Sequence, residues 1–257
     1  MSAAIPMTSG PLPKTLKCIA AAVLLLFIAP VLLHAALWLA QERPRTWRTA
    51  DWSSAGTLPD PREEREASIR VMAARTGGLK GIVSVHSWLV LKDEGAAAYQ
   101  RYEVVGWGNP VRRNGRPADG RWYSNEPVVI HALTGAEAAR LIPKVEAAIR
   151  AYPWSRQGSY RTWPGPNSNT FVAHVLAAVP EIGAGMPPTA IGRDYPTGAW
   201  VRRVPAGGVS VSLAGFAGVT VGLREGIEVN FLGLVAGVRF ADFAILLPGF
   251  GAIGDSL

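Results

Sequence analysis

The sequence predicts an α+β protein, an antiparallel sheet with packed helices, preceded by one transmembrane helix. Three observations predict it. A long apolar run stands near the N-terminus. The middle of the chain groups helix-like and strand-like segments in blocks rather than in βαβ alternation. The last fifth is a series of short apolar runs broken by glycine.

The apolar run is "LKCIAAAVLLLFIAPVLLHAALWL" at 16–39, whose one charge, Lys17, lies at its edge. At about 1.5 Å per residue it is long enough for the roughly 30 Å of a bilayer's hydrocarbon. Trp38, Trp47 and Trp52 follow, as an interfacial aromatic belt would. A single membrane anchor is the favoured reading, and a cleaved signal peptide is the alternative. Against cleavage, the run outlasts an h-region and no clean A-x-A site follows it. Positive charges nearly balance, with Lys14 and Lys17 before the span and Arg43, Arg45 and Arg48 after it. The short leader has no acidic residue, which favours an inside N-terminus and a globular part outside the cytoplasm. The expected organisation is a leader (1–15), an anchor (16–39), a tether rich in Arg, Pro, Ser and Trp (40–60) and an α+β globular domain (61–257).

Within that domain, Pro61, early acids, a late Arg75 and Gly77-Gly78 predict a helix. "GIVSVHSWLVLK" at 81–92 is β-branched and apolar on both faces, as a buried strand is. A turn at 93–95 and a return strand at 99–107 make a hairpin. The polar loop at 108–121 carries Arg112, Arg113, Arg116 and Arg121. A strand at 128–131 leads to a helix that Thr134 and Glu137 would cap, with Pro143 inside it. A second helix follows "GPNSN" at 165–169. The glycine-punctuated stretch at 208–240 predicts short strands. A second membrane span at 231–251 is the alternative, made costly by Arg239 and Asp242.

Composition limits function. Hydrophobic residues are 49% and charged residues 18%, which argues against disorder. The net charge of +7 favours anionic surfaces: lipid headgroups, acidic glycans or nucleic acid. The one cysteine, Cys18, lies in the apolar run. An intrachain disulfide, a cysteine-pair zinc site and a thiolate nucleophile in the globular part are therefore excluded. His86, His131 and His174 have no metal-ligand spacing, and no phosphate-binding glycine motif stands before a capped helix, so no metal or cofactor is expected. No nucleic-acid module accompanies the arginine loop, leaving anionic lipid or glycan as its partner, or a merely solvated loop.

Two polar features carry the candidate chemistry. Ser168 stands where a helix begins. It is either part of a cap with Asn167 and Thr170, or a nucleophile helped by the helix dipole and free N–H groups. A serine there needs a base within hydrogen-bond reach. His86, on the strand with Trp88, is either a satisfied core residue or that base. If 93–96 form the hairpin loop, Glu103 lies opposite His86 and would orient its ring. A one-residue slip would move Glu103 to the other face. His131 is a second-choice base, and His174 points elsewhere on its helix.

"VHSW" (85–88), "GPNSNTFV" (165–172), "GLREGIE" (222–228) and "LPGFG" (247–251) together resemble a family of uncharacterised bacterial membrane-anchored proteins, a domain of unknown function. That resemblance implies a bacterial envelope protein held by one span in the inner membrane, its domain in the periplasm. More distantly, a strand histidine followed by a helix opening with "NSNTFV" is similar to the circularly permuted papain-like, NlpC-type superfamily of peptidases, amidases and acyltransferases. The resemblance implies a permuted papain-like fold with catalytic Ser168, His86 and Glu103, serine replacing the superfamily's cysteine. Two functions follow: a non-catalytic module on that scaffold that binds lipid, glycan or protein, or a serine-dependent hydrolase or acyltransferase acting on an envelope amide or ester.

Overall fold

The computed structural model describes residues 13–196, 200–204 and 207–254. Its helix α1 (Lys14–Leu39) is long and apolar enough to cross a membrane. Pro30 cannot donate to the carbonyl one turn back, and the helix takes a π turn over Leu24–Ile28 just before it. Lys14–Val23 buries no residue. The C-terminal half of α1 packs on the rest of the chain. The Trp38 indole donates to the Gly78 carbonyl (3.2 Å), and His34 stands edge-on to Phe250 (5.0 Å).

The expected helix after Pro61 is not formed. Ser68–Arg75 is instead strand β1, buried along almost its whole length. Its side chains explain the difference. Ile69 and Val71 are apolar on one face and Met72 and Ala74 on the other, and two apolar faces suit an interior strand better than a one-striped helix. The capping signals at 60–66 precede a strand. β2 (Val85–Lys92), β3 (Gln100–Val104), β4 (Val111–Arg113) and β5 (Val128–Thr134) complete an antiparallel sheet ordered β4-β3-β2-β1-β5.

Two helices cover one face of this sheet. Leu141 and Val145 of α2 (Gly135–Arg150) and Phe171 and Val175 of α3 (Ser168–Ala178) pack on Val71, Leu89 and Leu91. Thr134 precedes α2 but makes no side-chain cap, and Glu137 pairs with Arg140 instead. α2 runs through Pro143 without ending. The opposite face buries Met72, Trp88, Val90 and Trp122. The segment expected as a tether packs there. Trp52 meets Trp122 edge-on at 5.1 Å, and the Ser54 hydroxyl donates to Asp119 at 2.6 Å.

A second antiparallel sheet is a seven-stranded meander: β6 (Val201–Val204), β7 (Gly208–Leu213), β8 (Ala217–Gly222), β9 (Gly226–Phe231), β10 (Leu234–Arg239), β11 (Ala244–Leu247) and β12 (Gly251–Ile253). The short-strand reading of this region holds. The alternative span at 231–251 is strands and turns, not a membrane helix. Along β7 and β9 burial alternates strictly, and the buried set is polar: Ser210, Ser212, Glu228 and Asn230.

Candidate functional site

Three polar centres are built into this frame. The first lies on the tryptophan-lined face of the five-stranded sheet. Pairing of Leu89 with Tyr102 and Leu91 with Gln100 sets the register of the β2–β3 hairpin. Continued by one pair, it puts Glu103 opposite Trp88, two residues from the expected alignment with His86. A slip of two keeps the face. The Glu103 carboxylate therefore still reaches the His86 Nε2, at 2.7 Å. The Arg101 guanidinium donates to the same oxygen at 2.8 Å and to the Pro117 carbonyl at 3.0 Å, and it lies 4.0 Å from the Trp88 ring. The His86 ring stacks on Trp122, with centroids 3.6 Å apart and planes 10° from parallel. His86, Trp88, Arg101, Glu103 and Trp122 are all buried.

The electrostatics follow from that burial. Desolvation opposes the Glu103 charge, but the His86 hydrogen bond and the adjacent Arg101 outweigh it and bring the carboxyl pKa down to about 2. Burial lowers the His86 pKa, against the pull of Glu103. His86 is thus a neutral ring donating its Nε2 proton to an ionised Glu103.

The second centre is the start of α3, on the other face of the same sheet. Asn167 is the N-cap. Its Oδ1 accepts from the Asn169 N–H (2.9 Å) and the Thr170 N–H (3.2 Å), while the Thr170 hydroxyl accepts from the Asn167 N–H (3.1 Å), closing a capping box. The Asn167 Nδ2 donates to the carbonyls of Thr162 and Ile191. The Asn169 Nδ2 donates to Val85 on β2 (2.9 Å) and to Ile191 (2.8 Å). Gly192 packs so closely that a Cβ there would sit 2.3 Å from the Asn167 Nδ2. The polar cluster ties four backbone segments together. Ser168 is buried within it, and among the described residues its hydroxyl makes no hydrogen bond.

The structure thus brings His86 and Glu103 together and does not join either to Ser168. Strand alternation is the reason: Leu89 and Leu91 face α3, so His86 and Trp88, one residue out of phase, face away. His131 and His174 lie apart from both centres; burial lowers the pKa of each, and the Nε2 of each ring has no hydrogen-bond partner among the described residues.

The arginine loop is largely engaged by its own chain. Arg112 donates to the Trp107 carbonyl (2.9 Å), Arg113 to Gln100, and Arg121 to the Ser54 carbonyl (2.7 Å), and Arg116 stacks over Trp52 at 3.5 Å. Among the described residues, no group of three His, Cys, Asp or Glu side chains is placed to hold a metal.

The third centre was not singled out from the sequence. Arg193 and Asp194 insert beneath the second sheet. Arg193 pairs with Glu228, and Asp194 accepts from Arg202 (2.6 Å) and from the Asn230 Nδ2 (2.7 Å). A cleft of about 260 Å³ opens beside it, lined by His174, Tyr195, Trp200 and Arg202 among others. The "GRDY" of 192–195 carries charge into an otherwise apolar region, which is the signal that marks it.

Fold and centres together define a two-sheet α+β protein with one apolar N-terminal helix. The chain belongs to the family described as "Protein of unknown function (DUF3750)", whose model matches residues 66–195. That span runs from two residues before β1 through Tyr195, and leaves α1 and the seven-stranded sheet outside it. No curated protein matches the chain, and no solved structure does.

Proposed function

We propose that this protein is a membrane-anchored, non-catalytic binding module. α1 is its anchor, in a bacterial inner membrane, with the domain on the periplasmic side. Support for the anchor is the free apolar length of Lys14–Val23. Support for the orientation is the acid-free leader. The permuted papain-like reading of the scaffold draws on the order of its motifs, a strand histidine followed by a helix that opens with Asn167 and Ser168.

One observation carries the non-catalytic reading. The His86–Glu103 pair and Ser168 lie on opposite faces of one sheet, and the hydrogen bonds around each are those of a packed interior. A serine without a base in reach is not activated for acyl transfer. The rival reading, a serine hydrolase or acyltransferase, draws on the position of Ser168 at the positive end of an eleven-residue helix. A fluorophosphonate probe separates the two. The full chain in detergent is expected to take no label, as is Ser168→Ala. Labelling of the wild type that Ser168→Ala abolishes overturns the proposal.

A further inference from the structure

The seven-stranded sheet is inverted with respect to water. Its buried face holds Ser210, Thr220, Glu228 and Asn230 beside a small apolar cluster of Val235, Ala244 and Leu246, while its exposed face is apolar throughout its central rows. Cross-strand pairing lines up Val209, Val221, Ile227, Val238, Ile245 and Ile253 in one unbroken row across six strands, each 45–54% exposed. A second row joins Val201, Val211, Val219 and Val229. Six strands at about 4.8 Å spacing and six residues at about 3.4 Å rise give an apolar field roughly 24 Å by 20 Å. Soluble monomers rarely expose contiguous patches above a few hundred Å². Among the described residues of the strands, Arg203, on the edge strand β6, is the charge that shares this face.

The same face is continuous with α1. Phe27 of the helix stands edge-on to Phe231 at 5.8 Å, and Ala236, next in the second row, is buried although Val229 beside it in that row is exposed. From Phe27 to Trp38 about 16 Å of helix runs along the protein, close to the thickness of one hydrocarbon leaflet. The medium that surrounds the outward leucines of α1 therefore also meets the valines and isoleucines beside them.

We infer that the outer face of the seven-stranded sheet is a second membrane contact, seated against the acyl chains of the leaflet that α1 enters. Strands of six residues fall short of the 9–11 needed to cross, so the sheet lies on the bilayer and does not span it. Its central strands are paired on both sides, leaving the edges β6 and β12 for the polar headgroup level, where Arg203 stands. The buried polar face turns toward Arg193 and Asp194.

This inference rests on α1 being the anchor, and its test separates the two. In a Cys18→Ser background, spin labels are placed singly at Leu25→Cys on α1, Ile227→Cys on the sheet and Arg140→Cys on α2. The full chain is reconstituted in phosphatidylcholine–phosphatidylglycerol vesicles. Collision with oxygen and with a water-soluble nickel chelate is then compared. The oxygen-to-nickel ratio at Ile227 is expected to shift away from the Arg140 value to that of Leu25. A lipid-like Leu25 with a water-like Ile227 overturns the sheet contact and leaves the anchor standing. A site at Ile227 closed to both agents also overturns it, since protein then covers the face. Water-like values at both Leu25 and Ile227 overturn the anchor itself.

Discussion

Glu103→Gln lowers the stability of the full chain by about 3–5 kcal/mol, the range for breaking a buried ion pair by removing one partner. The substitution keeps the shape of the side chain and removes the charge. Arg101 is then left buried beside a neutral amide, with the carbonyls of Pro117 (3.0 Å) and Gly120 (3.4 Å) and the Trp88 face as its remaining partners. The pH dependence has a defined sign. The carboxyl falls from an ordinary 4.5 to about 2 on folding. The pair therefore stabilises fully above about pH 4.5, and its contribution fades as the pH drops toward about 2. Urea melts in detergent at a series of pH values check both parts. The wild type is expected to lose stability over that acid window, and the Gln variant to lose less over the same window. Equal acid slopes would mean that Glu103 is not held ionised.

Asn167→Ala is the second large effect, at about 2–4 kcal/mol. Part is the lost N-cap, worth about 0.5–2 kcal/mol, and part is the buried groups left without partners, at about 1–3 kcal/mol. The Oδ1 of this one side chain serves two backbone N–H groups of α3, and its Nδ2 serves two loop carbonyls. Its neighbour supplies the contrast. The Ser168 hydroxyl has no hydrogen bond among the described residues, so Ser168→Ala is expected to change stability by less than about 1 kcal/mol. Thermal melts of the two variants in one detergent give the comparison. A larger loss from Ser168→Ala than from Asn167→Ala would reverse the roles assigned to them.

Much of this arrangement is legible in the sequence, for identifiable reasons. The apolar run of α1 needs only length and composition. Asn167 and Thr170 announce the start of α3 because caps are local chemistry. The partnership of Glu103 with His86 survives a two-residue error in register because strand side chains repeat with a period of two. What is not legible is decided by neighbours. The signals around Pro61 read as a helix start, yet Ile69, Val71, Met72 and Ala74 need cover on both sides, which β2 and β5 provide. The motif that sets Ser168 at a helix start says nothing of which sheet face His86 takes. That is settled by the phase of β2 against α3. In "GVSVSL" the alternation is plain, but which set turns inward depends on Arg193 and Asp194, in a segment outside the second sheet.

The measurement that bears most directly on the central claim is ¹⁵N NMR of the His86 ring, assigned by comparison with His86→Gln, in the wild type and in Ser168→Ala. The ring is expected to be neutral and protonated at Nε2 at pH 7 and above, to take up its second proton only below the ordinary 6.5, and to give the same shifts in both proteins. A titration centred near the ordinary 6.5, or a ring shift that moves when Ser168 loses its hydroxyl, would join the two centres and contradict it.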